Sequence, residues 1–182
     1  MQLQRRTLWV AKNGGCSSTL CSATGCVQEE NQLHLIECPF MKRDFWNYVE
    51  DFMQRLKMEP ENETIYWLAG QRANGKMANP EEISIIMWAW RSLYAATVRS
   101  HIEEIPLKLE RARFDVAKYT LSRAQAYGQK WSLWYRRQRG HTHAKYFPFQ
   151  HRNNRLINFD EFGHYELNDI LKPEFCTLCS NS

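Results

Sequence analysis

The chain has 182 residues, 43% hydrophobic and 24% charged, a globular balance with enough apolar mass for a real core. Its net charge of +4 hides a division: residues 106–155 hold twelve Lys and Arg against only Glu110 and Asp115, while the stretches on either side are net acidic, and a polyanion is the natural partner of such a basic block. No apolar run is long enough to cross a bilayer and the first fifteen residues lack the apolar core of a secretory signal, so an intracellular protein, nuclear or cytoplasmic, with no membrane partner is expected.

Residues 1–15, with Arg5, Arg6 and the turn Asn13-Gly14-Gly15, read as a short strand or irregular lead-in. Four of the six cysteines then fall between positions 16 and 38, and the other two are Cys176 and Cys179. That clustering suits metal binding better than an evenly spread disulfide framework. Cys21, Cys26, His34 and Cys38 form C-x4-C-x7-H-x3-C, three thiolates and an imidazole, which is the donor set of a closed tetrahedral zinc site. Two cysteines across a short turn can clamp one side of an ion. His34 and Cys38, four apart, share one face of a helical turn, and Gly25 suits a tight turn before Cys26. Cys16 with Cys21 repeats the C-x4-C spacing. The pair Cys21 and Cys26 is preferred because the other choice leaves a longer loop before His34 to close around one ion. Four protein ligands leave no open position, so the expected role is structural.

The stretch GCVQEENQLHLIECPFMKRDFW resembles the zinc-binding region near the C-terminus of non-LTR (LINE-type) retrotransposon reverse transcriptases. That pattern has a short-spaced cysteine pair, a glutamate-rich link, a His-Leu followed within a helical turn or so by Cys-Pro, and a Trp-containing helix. The matching positions are Cys21, Cys26, His34, Leu35, Cys38, Pro39 and Trp46, and the resemblance covers roughly residues 16–56. It implies nucleic-acid contact beside an upstream reverse transcriptase domain.

Pro39 can open a helix, and Phe45, Val49, Phe52 and Leu56 recur at helical steps, with Trp46 and Met53 widening the stripe. EPENET, 59–64, breaks it. Ile65 to Leu68 is a short apolar segment of undetermined type, and QRANGKMA, 71–78, reads as an exposed loop. Asn79-Pro80-Glu81-Glu82 is a strong helix start. Ile83, Ile86, Trp90, Leu93, Thr97 and Ile102 carry that helix, the expected central one, to about Ile105. Beyond Pro106, the residues Leu109, Ala112, Val116, Thr120, Ala124, Tyr127, Trp131 and Trp134 keep one apolar seam. Arg111, Lys118 and Arg136 lie opposite it, with Arg123, Lys130 and Arg137 on its flank. Two long helices joined around Glu104-Ile105-Pro106 read as an antiparallel hairpin, and Gly128 as a weak point or bend.

RRQRGHTHAKYFPFQHRNNR, 136–155, interleaves cations with Tyr146, Phe147 and Phe149, the combination that holds phosphates and stacks on unpaired bases. Arg123, Lys130, Arg136, Arg137, Arg139, Lys145, Arg152 and Arg155 are the candidate nucleic-acid-binding residues. Tyr127, Trp131, Trp134 and Tyr135 are candidate stacking residues if exposed. Residues 156–182 read as an acidic, unstructured tail whose C-x2-C could join a second metal site. No Asp-Asp pair, P-loop, dinucleotide fingerprint or nucleophile elbow occurs, and His141, His143, Asp160 and His164 match no defensible nuclease spacing, so no enzyme is expected.

The sequence thus predicts an all-α fold in three parts. Residues 1–58 form a small zinc-knuckle-like module with its following helix, 59–155 a long helical hairpin with a basic C-terminal face on which the module packs, and 156–182 an acidic tail. The expected function is a nucleic-acid-binding accessory domain, derived from a retrotransposon reverse transcriptase, that binds zinc and holds RNA or single-stranded DNA. The alternative is a helical protein–protein interaction module without nucleic-acid binding.

Overall fold

The structure, a computed structural model, describes residues 20–138, 156–160, 164–169 and 171, without the side chains of 134–136 and 138. Its elements are α1 (Gln32–Glu37), α2 (Pro39–Met41), a π-helical turn (Lys42–Trp46), α3 (Asn47–Arg55), α4 (Thr64–Ala69), α5 (Pro80–Glu103), α6 (Glu110–Gln138), β1 (Ile157–Phe159) and β2 (Tyr165–Leu167). The chain divides into two compact units, residues 1–54 with 59–116, and residues 55–58 with 117–182.

In the first unit α1, α2, the π-turn and α3 run almost without interruption. The π-turn carries one more residue per turn than an α-helix and so loosens the regular backbone ladder. The carbonyl of Asp44 within it accepts from the Arg113 guanidinium, Nε at 2.6 Å and Nη2 also in contact. Phe45, Trp46, Val49, Phe52 and Met53 are buried, as the helical stripe predicts. Trp46 packs against Trp67 of α4 and Trp90 of α5 with ring centroids 5.3 and 5.1 Å away. Trp46 donates its indole N–H to the Leu35 carbonyl and Trp90 donates to that of Trp67, so these large apolar rings are buried with their polar atoms satisfied.

The undetermined segment around Ile65 is helix α4, which Gly70 ends in the left-handed region (φ 68°). α5 begins as predicted: Asn79 and Glu82 form a capping box and Pro80 takes the first turn. Segment 71–78 is exposed over positions 73–77 but is firmly anchored. Gln71 and Met77 form a β-bridge, and Arg72 reaches Glu82, which is fully buried, at 2.6 Å, and Glu61 at 3.1 Å.

α6, 29 residues and about 43 Å long at 1.5 Å per residue, bears the predicted seam. Leu109, Ala112, Val116, Thr120 and Ala124 are buried, while Tyr127 and Trp131 are only half-buried. In the second unit Ala117, Leu121, Leu156, Ile157 and Leu171 are also buried. Two readings need correction here. The fold is mostly helical rather than all-α, because Ile157–Phe159 and Tyr165–Leu167 pair antiparallel, Asn158 opposite Glu166. Those strands lie in the segment that reads as an unstructured tail, and among its described residues Leu156, Ile157 and Leu171 are buried. Gly128 also serves as more than a weak point: a Cβ there would lie 2.3 Å from the Tyr165 ring, so the glycine makes the dent in which that ring sits.

Candidate metal centre

The segment from Leu20 to Cys38 is shaped by backbone hydrogen bonds before any side chain is considered. Leu20 and Glu29 form a bridge, and the Cys21 N–H donates to Gln28 O at 2.8 Å, closing the segment between them. Inside it the Cys26 N–H donates to Ala23 O at 3.0 Å. Gly25 makes the turn at φ 84°, a conformation L side chains resist. Asn31 then caps α1, its side chain accepting from the His34 N–H at 2.8 Å. The Cys38 N–H donates to His34 O at 2.6 Å, which stacks these two candidate ligands at helical spacing.

These constraints bring together Cys21, Cys26, His34 and Cys38, whose donor atoms all lie within 4.8 Å of one another. A tetrahedron with sulfur about 2.3 Å from its centre has edges of about 3.8 Å, slightly less where one donor is nitrogen. Cys21 Sγ and Cys38 Sγ are 4.0 Å apart, and Cys26 Sγ and His34 Nε2 are 3.3 Å apart. The set could hold a metal ion. Cys21, His34 and Cys38 are buried and Cys26 partly so. Burial pushes the Cys21 thiol well above its ordinary range. An N–H from Ala23 aimed at the sulfur opposes that shift, while Cys38 and Cys26 reinforce it. A divalent cation reverses this balance by stabilising the thiolates.

Cys16, the competing partner for Cys21, lies outside the described residues, as do Cys176 and Cys179, His141 and His143, and the aromatic residues Tyr146, Phe147 and Phe149. Among the proposed phosphate-binding residues, Arg123, Lys130 and Arg137 are exposed on α6. Arg139, Lys145, Arg152 and Arg155 lie outside the described residues, and so does the side chain of Arg136. Lys130 Nζ sits 5.8 Å from the centroid of the Trp131 ring, and Tyr127 packs 5.9 Å from the same ring. The side chains of Trp134 and Tyr135 are not among those described. His164 Nδ1 lies 3.0 Å from Asp160 Oδ2, and both side chains are substantially exposed.

Sequence reasoning missed Glu30. Its Oε2 accepts from the Ser22 N–H at 3.0 Å and from Ser22 Oγ at 2.9 Å, beside the candidate ligand Cys21. Its Oε1 lies 3.2 Å from His101 Nε2 on α5. That second contact is at ion-pair distance without hydrogen-bond alignment. Nothing in the local pattern around Glu29-Glu30-Asn31 distinguishes one carboxylate from the other, because the distinguishing partner is far along the chain. Among the described residues no helix is long and apolar enough to cross a membrane. Comparison of the chain with family models, with curated proteins and with solved structures gives no match in any of the three.

Proposed function

We propose that the chain is a nucleic-acid-binding accessory domain with a structural zinc site, derived from a retrotransposon reverse transcriptase and acting on RNA or single-stranded DNA beside an upstream polymerase domain. Zinc is the metal that a Cys3His set with four protein donors suits best, and such a set leaves no position for activating water. The resemblance of residues 16–56 supports the lineage.

The observation that carries the binding reading is the row Arg123, Lys130, Arg137, exposed along α6 at intervals of seven residues. Seven residues are nearly two full turns, so the three cations share a face, about 10.5 Å apart. Half-buried Trp131 adjoins Lys130 and packs against Tyr127, a pairing of ring and cation that suits single-strand recognition. Arg113 is assigned differently, since its guanidinium is engaged by the Asp44 carbonyl.

The test is fluorescence anisotropy with labelled single-stranded RNA, single-stranded DNA and duplex DNA at two salt concentrations. The expected result is affinity that falls steeply with salt. Neutralising Arg123, Lys130 and Arg137 together should lower the slope of log affinity against log salt by about 2, from about 0.7 for each phosphate contact on a single strand. Salt-insensitive binding, or a slope unchanged in the triple variant, sinks the reading. One observation favours the alternative, a protein-docking surface: Met87 and Ile102 on α5 are 67% and 55% exposed, on a helix face that also carries Trp88 and Arg91.

A further inference from the structure

We propose that Glu30 is the positioning residue of the metal centre: its buried carboxylate clamps the Cys21 turn and ties it to the last turn of α5 through His101. The inference rests on the metal-centre reading and goes beyond it, because the four ligands alone do not require a fifth charged group.

The Glu30 side chain is 2% exposed and that of His101 13% exposed. Burying a carboxylate is costly unless donors and charge compensate it. Both kinds of compensation are present: the Ser22 N–H and hydroxyl on one oxygen, and an imidazole that is cationic when protonated close to the other. Glu30 sits near a group that carries net negative charge when filled, since three thiolates outweigh a divalent ion. Charge alone therefore argues against a carboxylate here, and simple packing would be met by an apolar side chain.

What the carboxylate supplies is direction. Ser22 follows ligand Cys21 immediately, so two hydrogen bonds to Ser22 fix the orientation of the peptide unit that joins them. The next N–H, that of Ala23, is the one aimed at the Cys21 sulfur. Glu30 thus holds the turn that presents both the thiolate and its hydrogen-bond donor. Contacts of this kind, one step beyond the ligands, govern metal affinity without changing the donor set. The His101 contact extends the clamp to a helix whose start, at Asn79, is separately capped. The ligand turn is therefore referenced to the core rather than to its own loop.

The test uses the full chain, titrated with Co2+ and then with Zn2+ in competition with a chromophoric chelator. Wild type should give the absorption of tetrahedral thiolate-bound Co2+. Absence of that spectrum overturns the metal-centre reading itself and this inference with it. With the spectrum present, Glu30→Ala should keep its shape, because all four ligands remain, while metal affinity falls by about 10- to 100-fold. Glu30→Gln, whose amide oxygen can still accept from Ser22, should retain more affinity than Glu30→Ala and less than wild type. Glu29→Ala, at the exposed neighbour, should bind as wild type does. Affinity unchanged in both Glu30 variants overturns the positioning role while leaving the metal centre standing. If Glu30→Ala does not fold, Glu30→Gln decides: affinity equal to wild type overturns the role, and a loss accompanied by an unchanged spectrum supports it.

Discussion

Arg72 carries a charge that a buried neighbour depends on. Its Nη2 lies 2.6 Å from Glu82 Oε2, and the Glu82 side chain is 1% exposed. Burial first, and the Glu82 charge next, push the adjacent Tyr66 hydroxyl above its ordinary range, so the ring stays neutral beside the pair. Removing one member of a buried pair strands the other and typically costs about 3 kcal/mol or more. Arg72→Ala should therefore lower the unfolding free energy by about 3 kcal/mol in urea denaturation. Arg99→Ala, whose pair with Glu103 is exposed, should cost less than about 1 kcal/mol. Equal losses would mean that Glu82 is compensated elsewhere. Sequence shows Glu82 as part of a helix start, because a capping box is local. It does not show Glu82 as a buried ion, because that depends on where segment 71–78 folds back. The clustering of Cys21, Cys26, His34 and Cys38 was legible for the same reason of locality, and Glu30 was hidden because His101 lies about 70 residues further along.

At the scale of elements, Gly128 and β2 set each other's limits. Alanine within a helix is worth about 1 kcal/mol over glycine, yet a Cβ at 128 would lie 2.3 Å from Tyr165. Gly128→Ala should lower the thermal midpoint followed by circular dichroism, and a second change, Tyr165→Ala, should release the helix gain so that the two effects do not add. A midpoint raised by Gly128→Ala alone would show that the ring moves aside freely. The helix starts and seams were legible because apolar spacing and caps repeat over many residues. The β-pair escaped notice because Ile157–Phe159 and Tyr165–Leu167 are only three residues each, too short for alternation to stand out in a polar, acidic stretch. The π-turn has no sequence signature in the composition of KRDFW, and its evidence is a backbone hydrogen bond from the Asn47 N–H to Lys42 O.

For the molecule as a whole, the two units predict two responses to metal removal. The candidate ligands all belong to the unit of residues 1–54 and 59–116. Structural zinc contributes about 10 kcal/mol or more of folding free energy in small metal-dependent modules. A strong chelator should therefore abolish the unfolding transition of that unit, reducing helical circular dichroism in part, while helix from 117–138 persists. At a fixed free Zn2+ concentration the same loss should appear as pH falls, because protons compete with the metal for the thiols. An unfolding profile indifferent to chelator would count against a stabilising ion. The basic block was legible as composition, whereas the row of Arg123, Lys130 and Arg137 among the described side chains depends on the unbroken course of α6 beneath it.

The hydrogen bond from Trp46 to Leu35, 2.8 Å long, gives the chain an intrinsic optical gauge. Leu35 adjoins the candidate ligand His34, and the rings of Trp67 and Trp90 lie close enough to Trp46 to share excitation with it. Ultraviolet light absorbed by any of these indoles can therefore be emitted from the one whose N–H grips the helix bearing His34. Any slippage of that grip would recolour the emission without a dye being attached.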